Sequence, residues 1–184
     1  MFDLTGKIAL VTGASRGIGK GVALALAKAG ADIAVNYVSN EAKAQETVNE
    51  ILALGRRAIA IRANVTDEAQ VKAMFTAVTE HFGRLDILVA NAGTTQPKDI
   101  FQMELADWQR IVDVNLTSAY LCAKCAMEIM REQKSGRIIF MASQAGERGA
   151  LYGHAHYAAA KSGVLALSKT VARTAAPLPQ KENM

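Results

Sequence analysis

The sequence predicts an α/β protein built on a doubly wound parallel sheet, with helices on both faces making three layers. Three observations carry that expectation. Short apolar runs, of the kind a strand shows when both faces are buried, alternate with stretches of helical periodicity. A glycine-rich turn, Gly13-Ala14-Ser15-Arg16-Gly17-Ile18-Gly19, joins the first such run to the first helical pattern. Hydrophobic residues make up 51% of the chain and aromatics only 5%, an aliphatic, alanine-rich composition that suits helices packed on a sheet. At 184 residues the chain is expected to form one domain over residues 1–176, with an irregular tail at 177–184.

The elements follow in order. Ile8 to Val11 is the first strand, and the helix after it carries Ile18, Val22, Leu26 and Ala29 on one face, with Gly30 as its C-cap. Asp32 to Tyr37 reads as the second strand. A helix from Asn40 to Leu54 turns Ala44, Val48, Ile51 and Leu52 inward and closes at Gly55. Arg57 to Val65 is the third strand. The next helix, from Asp67 to Phe82, buries Val71, Met74, Phe75, Val78 and Phe82, and Asp67 with Gln70 has the spacing of a capping box. Leu85 to Ala90 is the fourth strand, followed by Asn91-Ala92-Gly93. After a polar loop containing Pro97, a long helix spans about Glu104 to Arg131. Arg137 to Ala142 is the fifth strand, and a loop from Ser143 to Ala155 leads to a helix from about His156 to Arg173. Alternation at this pace implies right-handed crossovers and a parallel sheet.

Strand, glycine turn and helix together bring a phosphate against free backbone N–H groups at a helix N-terminus. The bland alternative is an ordinary turn, but the flanking elements favour a nucleotide site. The spacing G-x-x-x-G-x-G differs from the G-x-G-x-x-G of the common dinucleotide fingerprint. A second cluster, Tyr157-Ala158-Ala159-Ala160-Lys161, sets a phenol and an ammonium on one helical face. A free tyrosine keeps its proton at neutral pH, and a fixed cation one turn away favours the phenolate. Ser143, just past the fifth strand, stands where ligand sites collect in open parallel sheets. It either caps the strand-to-loop turn or donates to a substrate carbonyl. Asn115 interrupts the long helix at a position expected to face inward, where it must be paired. Its partner is a neighbouring strand or, through water, Lys161.

Thr12-Gly13, Gly17-Ile18-Gly19, Asn91-Ala92-Gly93, Asn115, Ser143, Tyr157 and Lys161 together resemble the short-chain dehydrogenase/reductase family, over residues 5 to about 176. The resemblance implies a Rossmann-type sheet with Tyr157 as general acid/base and Ser143 orienting and polarising the carbonyl. Lys161 would hold the nicotinamide ribose, and Asn115 would complete a proton relay. It also implies a cofactor lined by Gly13, Ser15, Arg16, Gly17, Ile18 and Gly19, by Asn36 and Tyr37, and by Asn64 and Val65 at the adenine. Asn91, Ala92 and Gly93 would meet it beside the fourth strand, with Tyr157 and Lys161 at its nicotinamide end. NADP is favoured over NAD. The second strand ends in Asn36 and Tyr37, where an NAD site usually carries a carboxylate, and Arg16 suits a 2′-phosphate. Asp32 lies at the wrong end of that strand. Within the family, Leu4 to Asn115 looks most like the 3-oxoacyl-acyl-carrier-protein reductases of fatty acid biosynthesis. A 3-oxoacyl thioester is therefore the expected substrate and acyl-carrier protein a candidate partner. Sugar dehydrogenases and acetoacetyl-CoA reductases share many of these features.

The net charge of +4 is spread along the chain and forms no basic stripe, which argues against nucleic acid as a partner. No run is long enough to span a membrane and residues 1–30 lack a signal-peptide layout, so a cytoplasmic protein is expected. Cys122 and Cys125 sit within a helical pattern and read as small buried residues rather than a redox pair. His154 and His156 lack a third ligand and are expected as solvent-facing loop residues, so no metal is expected.

The family pattern continues past the catalytic helix with two more strands and a lid. Here Pro177-Leu178-Pro179 and a polar run to Met184 follow, so the sheet is expected to be truncated after that helix, its fifth strand an edge prone to pairing with another chain. The resemblance implies homo-oligomers through the helices at 104–131 and 156–173, a dimer or a disordered assembly rather than a tetramer. Two functional classes remain: a reductase, or a noncatalytic nucleotide-binding or interaction subunit that keeps the cofactor half of the fold.

Overall fold

The computed structural model describes residues 3–150 and 152–176, so the expected tail at 177–184 lies outside the described residues. Five strands form one parallel sheet: β1 (Ile8–Val11), β2 (Asp32–Tyr37), β3 (Ala58–Arg62), β4 (Ile87–Ala90) and β5 (Arg137–Phe140). Their order is β3-β2-β1-β4-β5, with Ile8 opposite Asp32 on one side of β1 and Ala9 opposite Ile87 on the other. The winding reverses between β1 and β4, which opens a crevice at their carboxyl ends.

Helices α1 (Gly17–Lys28) and α2 (Glu41–Ala53) cover one face. There Ala9, Val11, Ile33, Val35 and Val89 pack with Ala23, Ala27, Val48 and Ile51. Helices α3 (Glu68–Phe82) and α5 (Ser118–Gln133) cover the other, packing Val71, Met74, Phe75, Leu121 and Cys122 on Ile8, Leu10, Ala34 and Leu88. Successive residues of β1 point to opposite covered faces, which is why the strand shows no polar alternation. Helix α4 (Leu105–Val112) runs through one π turn, Asp113–Thr117, into α5, so the long helix predicted from 104 to 131 is a single rod with a widened turn. A short α6 (Ala145–Arg148) precedes α7 (Ala155–Ala175), which packs beside β5 and the π turn.

Two local expectations are corrected. The centre of the α1 packing face is Gly19, Ala23 and Ala27, with Val22 and Leu26 of the predicted stripe packed at its margin, and Ile18 is 69% exposed. At its amino end the helix approaches the sheet so closely that no side chain fits at Gly19. A Cβ at Gly19 would strike the Gly13 carbonyl oxygen and lie 2.6 Å from Asn91 Nδ2. The capping box at α3 is half-formed: Asp67 Oδ1 accepts the Ala69 and Gln70 N–H groups, and Gln70 Nε2 donates back to Asp67 Oδ2 at 2.9 Å, but Gln70 Oε1 takes the Asn64 N–H at 2.9 Å and the cap's own N–H goes to Asn64 O. The other expected cap holds, since Gly30 follows the Ala29 cap at a φ of +106° and Ala31 N–H reaches Leu26 O at 3.0 Å.

Cys122 and Cys125 are both buried on α5. Burial pushes the Cys122 thiol up to about 12, so it stays protonated and serves as packing. At the amino end of the sheet, Asp86 is buried beneath Arg84. It accepts from Arg84 Nη2 at 2.6 Å and from the Ile8 N–H at 3.0 Å. Among the described residues β5 pairs only with β4, and Ile139 on its α1 side is 46% exposed. No helix of the described residues is long and apolar enough to cross a membrane.

Candidate active site

The crevice is built from short polar side chains at the strand ends. Thr12, buried at the end of β1, accepts the N–H groups of both Asn91 and Ala92 on Oγ1 at 2.9 Å. Asn91 Nδ2 returns a bond to Thr12 O at 2.8 Å. Asn36 reaches the other way: its Oδ1 accepts the Gly13 N–H at 3.1 Å, and its Nδ2 donates to Ala63 O at 3.0 Å. Two asparagines thus lash the glycine turn to β2, β3 and β4.

The turn itself uses positive φ at Gly13 (64°) and Gly17 (58°), conformations that glycine adopts without a Cβ penalty. Arg16 occupies the N-cap of α1 with extended backbone and makes no capping bond, and the first turn holds no acidic residue. The first N–H groups and the positive end of the helix dipole therefore face outward unneutralised, a cradle that fits a pyrophosphate. Arg16 and Ile18 are exposed at its rim, and Ser15 is half-buried.

The structure places the other expected cofactor residues unevenly. Asn36 and Tyr37 are both buried, Asn36 bracing the turn and Tyr37 packed in the core under α2. Their side chains face inward rather than the crevice. Asn64 is exposed, with Oδ1 accepting from Thr66 N–H and Oγ1, while Val65 is buried in the opposite core. Asp32 is held by Arg57 Nε at 2.8 Å, far from the crevice end of β2.

Tyr157 and Lys161 lie on α7 where it packs beside β5, and Ser143 is in the loop that follows that strand. Ser143 Oγ accepts the Ala145 N–H at 3.2 Å, which leaves its own proton free to donate. Lys161 is 5% exposed, donates to Met141 O at 2.7 Å, and sets Nζ 5.7 Å from the centre of the Tyr157 ring. Burial lowers the ammonium's pKa. Asn115, in the π turn, is buried. Its Nδ2 donates to Thr94 O at 2.7 Å and to Ile111 O at 2.9 Å, so its partners are the loop after β4 and its own helix rather than a strand. Its Oδ1 is buried without a partner among the described residues. A Cβ on Gly93 would lie 2.7 Å from that oxygen and 3.6 Å from Lys161 Nζ, so glycine keeps open the space between them.

Beside these groups is a cleft of about 270 Å³ lined by Ile100, Phe101, Tyr152 and His154 among others. Phe101, Ile100 and Leu105 stand exposed around it. The reacting side chains do not line this cleft; it flanks Tyr157 on the approach to α7.

Two residues escaped the sequence reading. Thr12 was legible only as part of a motif, and nothing in its position announced two accepted N–H bonds. His156, expected in solvent, is 1% exposed and lies inside α7. The helix starts at Ala155, one residue earlier than its apolar pattern, and carries the ring inward.

A crevice at the reversal of a parallel sheet, an uncapped glycine-rich helix start, and a tyrosine backed by a buried lysine define a dinucleotide-dependent oxidoreductase site. The chain matches the short chain dehydrogenase family model over residues 7–178 and belongs to that family. It is 47% identical over 173 residues to a 3-oxoacyl-acyl-carrier-protein reductase of Synechocystis, covering 94% of this chain and 70% of that one. It is 46% identical over 167 residues to the Staphylococcus aureus reductase of the same name, covering 91% and 68%. Among solved structures, a short-chain type dehydrogenase/reductase from Mycobacterium marinum superposes with a TM-score of 0.90 at 40% identity, covering 94% of this chain and 70% of that chain.

Proposed function

We propose that the chain is an NADPH-dependent reductase of a 3-oxoacyl thioester. The observation that carries the reading is the Lys161 ammonium, buried and fixed by Met141 O two residues before Ser143, facing the Tyr157 ring. NADPH would lie with its pyrophosphate on the α1 start and its ribose near Lys161, and supplies the hydride when bound. Ser143 donates a hydrogen bond to the substrate carbonyl oxygen, which polarises it. Tyr157 gives that oxygen a proton as general acid. Lys161 holds a positive charge beside the ring as the phenol proton leaves, which favours the phenolate. The free Oδ1 of Asn115, across Gly93 from Lys161, is placed to accept from a water that returns the proton. Asn91, Ala92 and Gly93 form the wall next to the nicotinamide. The exposed Ile100, Phe101 and Leu105 offer an acyl chain apolar surface beside the site, and the similarity to two reductases of that name supports the same substrate class.

Arg16, exposed beside the cradle and held by no side-chain cap, is the group expected to meet the 2′-phosphate. The test measures kcat/KM for NADPH and NADH with a short 3-oxoacyl thioester. The unaltered chain should prefer NADPH, and Arg16→Ala should cut that preference by about tenfold, as loss of one charge-assisted bond implies. A chain that prefers NADH, or an Arg16→Ala variant with native preference, contradicts the cofactor assignment. A chain that reduces sugars and leaves the thioester untouched contradicts the substrate.

A further inference from the structure

His156 is buried in the first turn of α7, directly before Tyr157, and the proposed reaction makes no use of it. Its Nδ1 accepts the Tyr157 backbone N–H at 2.9 Å. That N–H is one of those at a helix start that lack an intrahelical acceptor, and the His154 cap offers none from its side chain. A ring nitrogen that accepts carries no proton, so the imidazole is neutral with its proton on Nε2. Nε2 is buried with no hydrogen-bond partner among the described residues.

The ring sits within a joint between α7 and the segment after β4. Lys98 N–H donates to Gly153 O at 2.7 Å, and Thr95 Oγ1 lies 2.8 Å from His154 Nδ1. Tyr152 donates to Asp99 Oδ2 at 2.8 Å, and Asn115 Nδ2 holds Thr94 O. Arg110 of α4 donates to the Gln96 side chain in the same segment. The charged neighbours acting on the ring are Arg110 from α4 and His154 from the approach to α7. Burial, then these two, lower its pKa below the usual histidine range, and the carbonyls of His154 and Gln96 act in the opposite sense.

We infer that His156 is a positioning residue for Tyr157: the neutral ring fixes the start of α7 by holding the tyrosine's N–H, and protonation withdraws that acceptor and loosens the tyrosine. The inference rests on Tyr157 being the acid/base. Its signature is an acid limb in kcat belonging to His156, at a pH below the ordinary histidine value of about 6.5.

Two variants separate the roles. H156N places an amide oxygen near the Nδ1 position and does not titrate, whereas H156L fills the space and offers no acceptor. H156L should lower kcat about tenfold or more with KM little changed, the scale expected when a reacting group is misplaced. H156N should restore kcat and abolish the acid limb. In parallel, amide hydrogen exchange at Tyr157 should lose protection in H156L and regain it in H156N. Native kcat and native protection in H156L would overturn the inference, as would an unchanged acid limb in H156N. If the unaltered chain reduces no thioester, the reductase reading fails on its own and the exchange data decide this one. Should H156L not fold, the native chain still decides: the Tyr157 amide shift and the His156 ring must titrate with one midpoint, and separate midpoints contradict the inference.

Discussion

At the scale of the residue, the crevice is held by side chains that bond to the backbone of neighbouring strands and turns. Thr12 accepts two backbone N–H groups on one hydroxyl, and replacing it with valine keeps the shape while orphaning the Ala92 N–H; the Asn91 N–H keeps the Val89 carbonyl at 3.0 Å. Thr12→Val should cost about 1–3 kcal/mol of stability, a fall in thermal midpoint of roughly 2–4 °C per kcal/mol for a chain this size. A calorimetric scan checks it, and an unchanged midpoint would show that water or Asn91 replaces the lost acceptor. Sequence made the candidate pair legible because its spacing is chemical: Tyr157 and Lys161 lie one turn apart on any helix. The bracing bonds were not legible, since Asn36 and Gly13 are brought together only by the pairing of β1 with β2. Asn36, expected as a cofactor contact, braces the glycine turn through the Gly13 N–H. His156 misled for the opposite reason, because a polar residue near a loop reads as solvent-facing until the helix boundary is known.

Elements show where periodicity suffices and where close packing overrides it. The five strands and the principal helices stand where the apolar runs placed them, with ends shifted by a few residues, because burial on both faces leaves few alternatives. The face of α1 is turned from its hydrophobic stripe: Val22 and Leu26 pack at the margin, Ile18 is exposed, and the closest contact falls to Gly19, Ala23 and Ala27. Two glycines in this helix separate the causes. Gly19→Ala drives a Cβ into the Gly13 carbonyl, so it should lower the thermal midpoint and weaken NADPH binding together. Gly21→Ala meets nothing within 4 Å on the exposed side and should stabilise the helix by about 0.5–1 kcal/mol with cofactor affinity unchanged. Equal effects of the two on NADPH titration would contradict the close approach at Gly19. The π turn was visible only as an awkward asparagine; its widened backbone lets the Asn115 amide take the Ile111 carbonyl and leaves Oδ1 turned toward Lys161.

For the whole molecule, opposite ends of the sheet divide the work. The carboxyl ends carry the candidate site, and the amino ends are locked by Asp86. Burial raises its carboxyl pKa, but the Arg84 guanidinium, the Ile8 N–H and Lys7 together outweigh that and hold it below the usual carboxylate range. A native value below the unfolded one means this stabilisation is complete above about pH 4 and is lost as pH falls through the native value. Asp86→Asn should therefore lower the thermal midpoint at pH 7 and flatten its decline between neutral and acid conditions. A variant with the native slope would show that other carboxylates govern acid unfolding.

The parts converge on one claim, that Tyr157 backed by Lys161 protonates a carbonyl reduced by NADPH. The most direct test follows NADPH oxidation with a short 3-oxoacyl thioester in the unaltered chain and in Tyr157→Phe, with NADPH affinity measured by fluorescence in both. The account predicts turnover that drops about 10²–10⁴-fold in the phenylalanine variant while affinity for NADPH stays essentially the same. Turnover that survives the substitution, or a native chain that binds NADPH and reduces no 3-oxoacyl thioester, would contradict it.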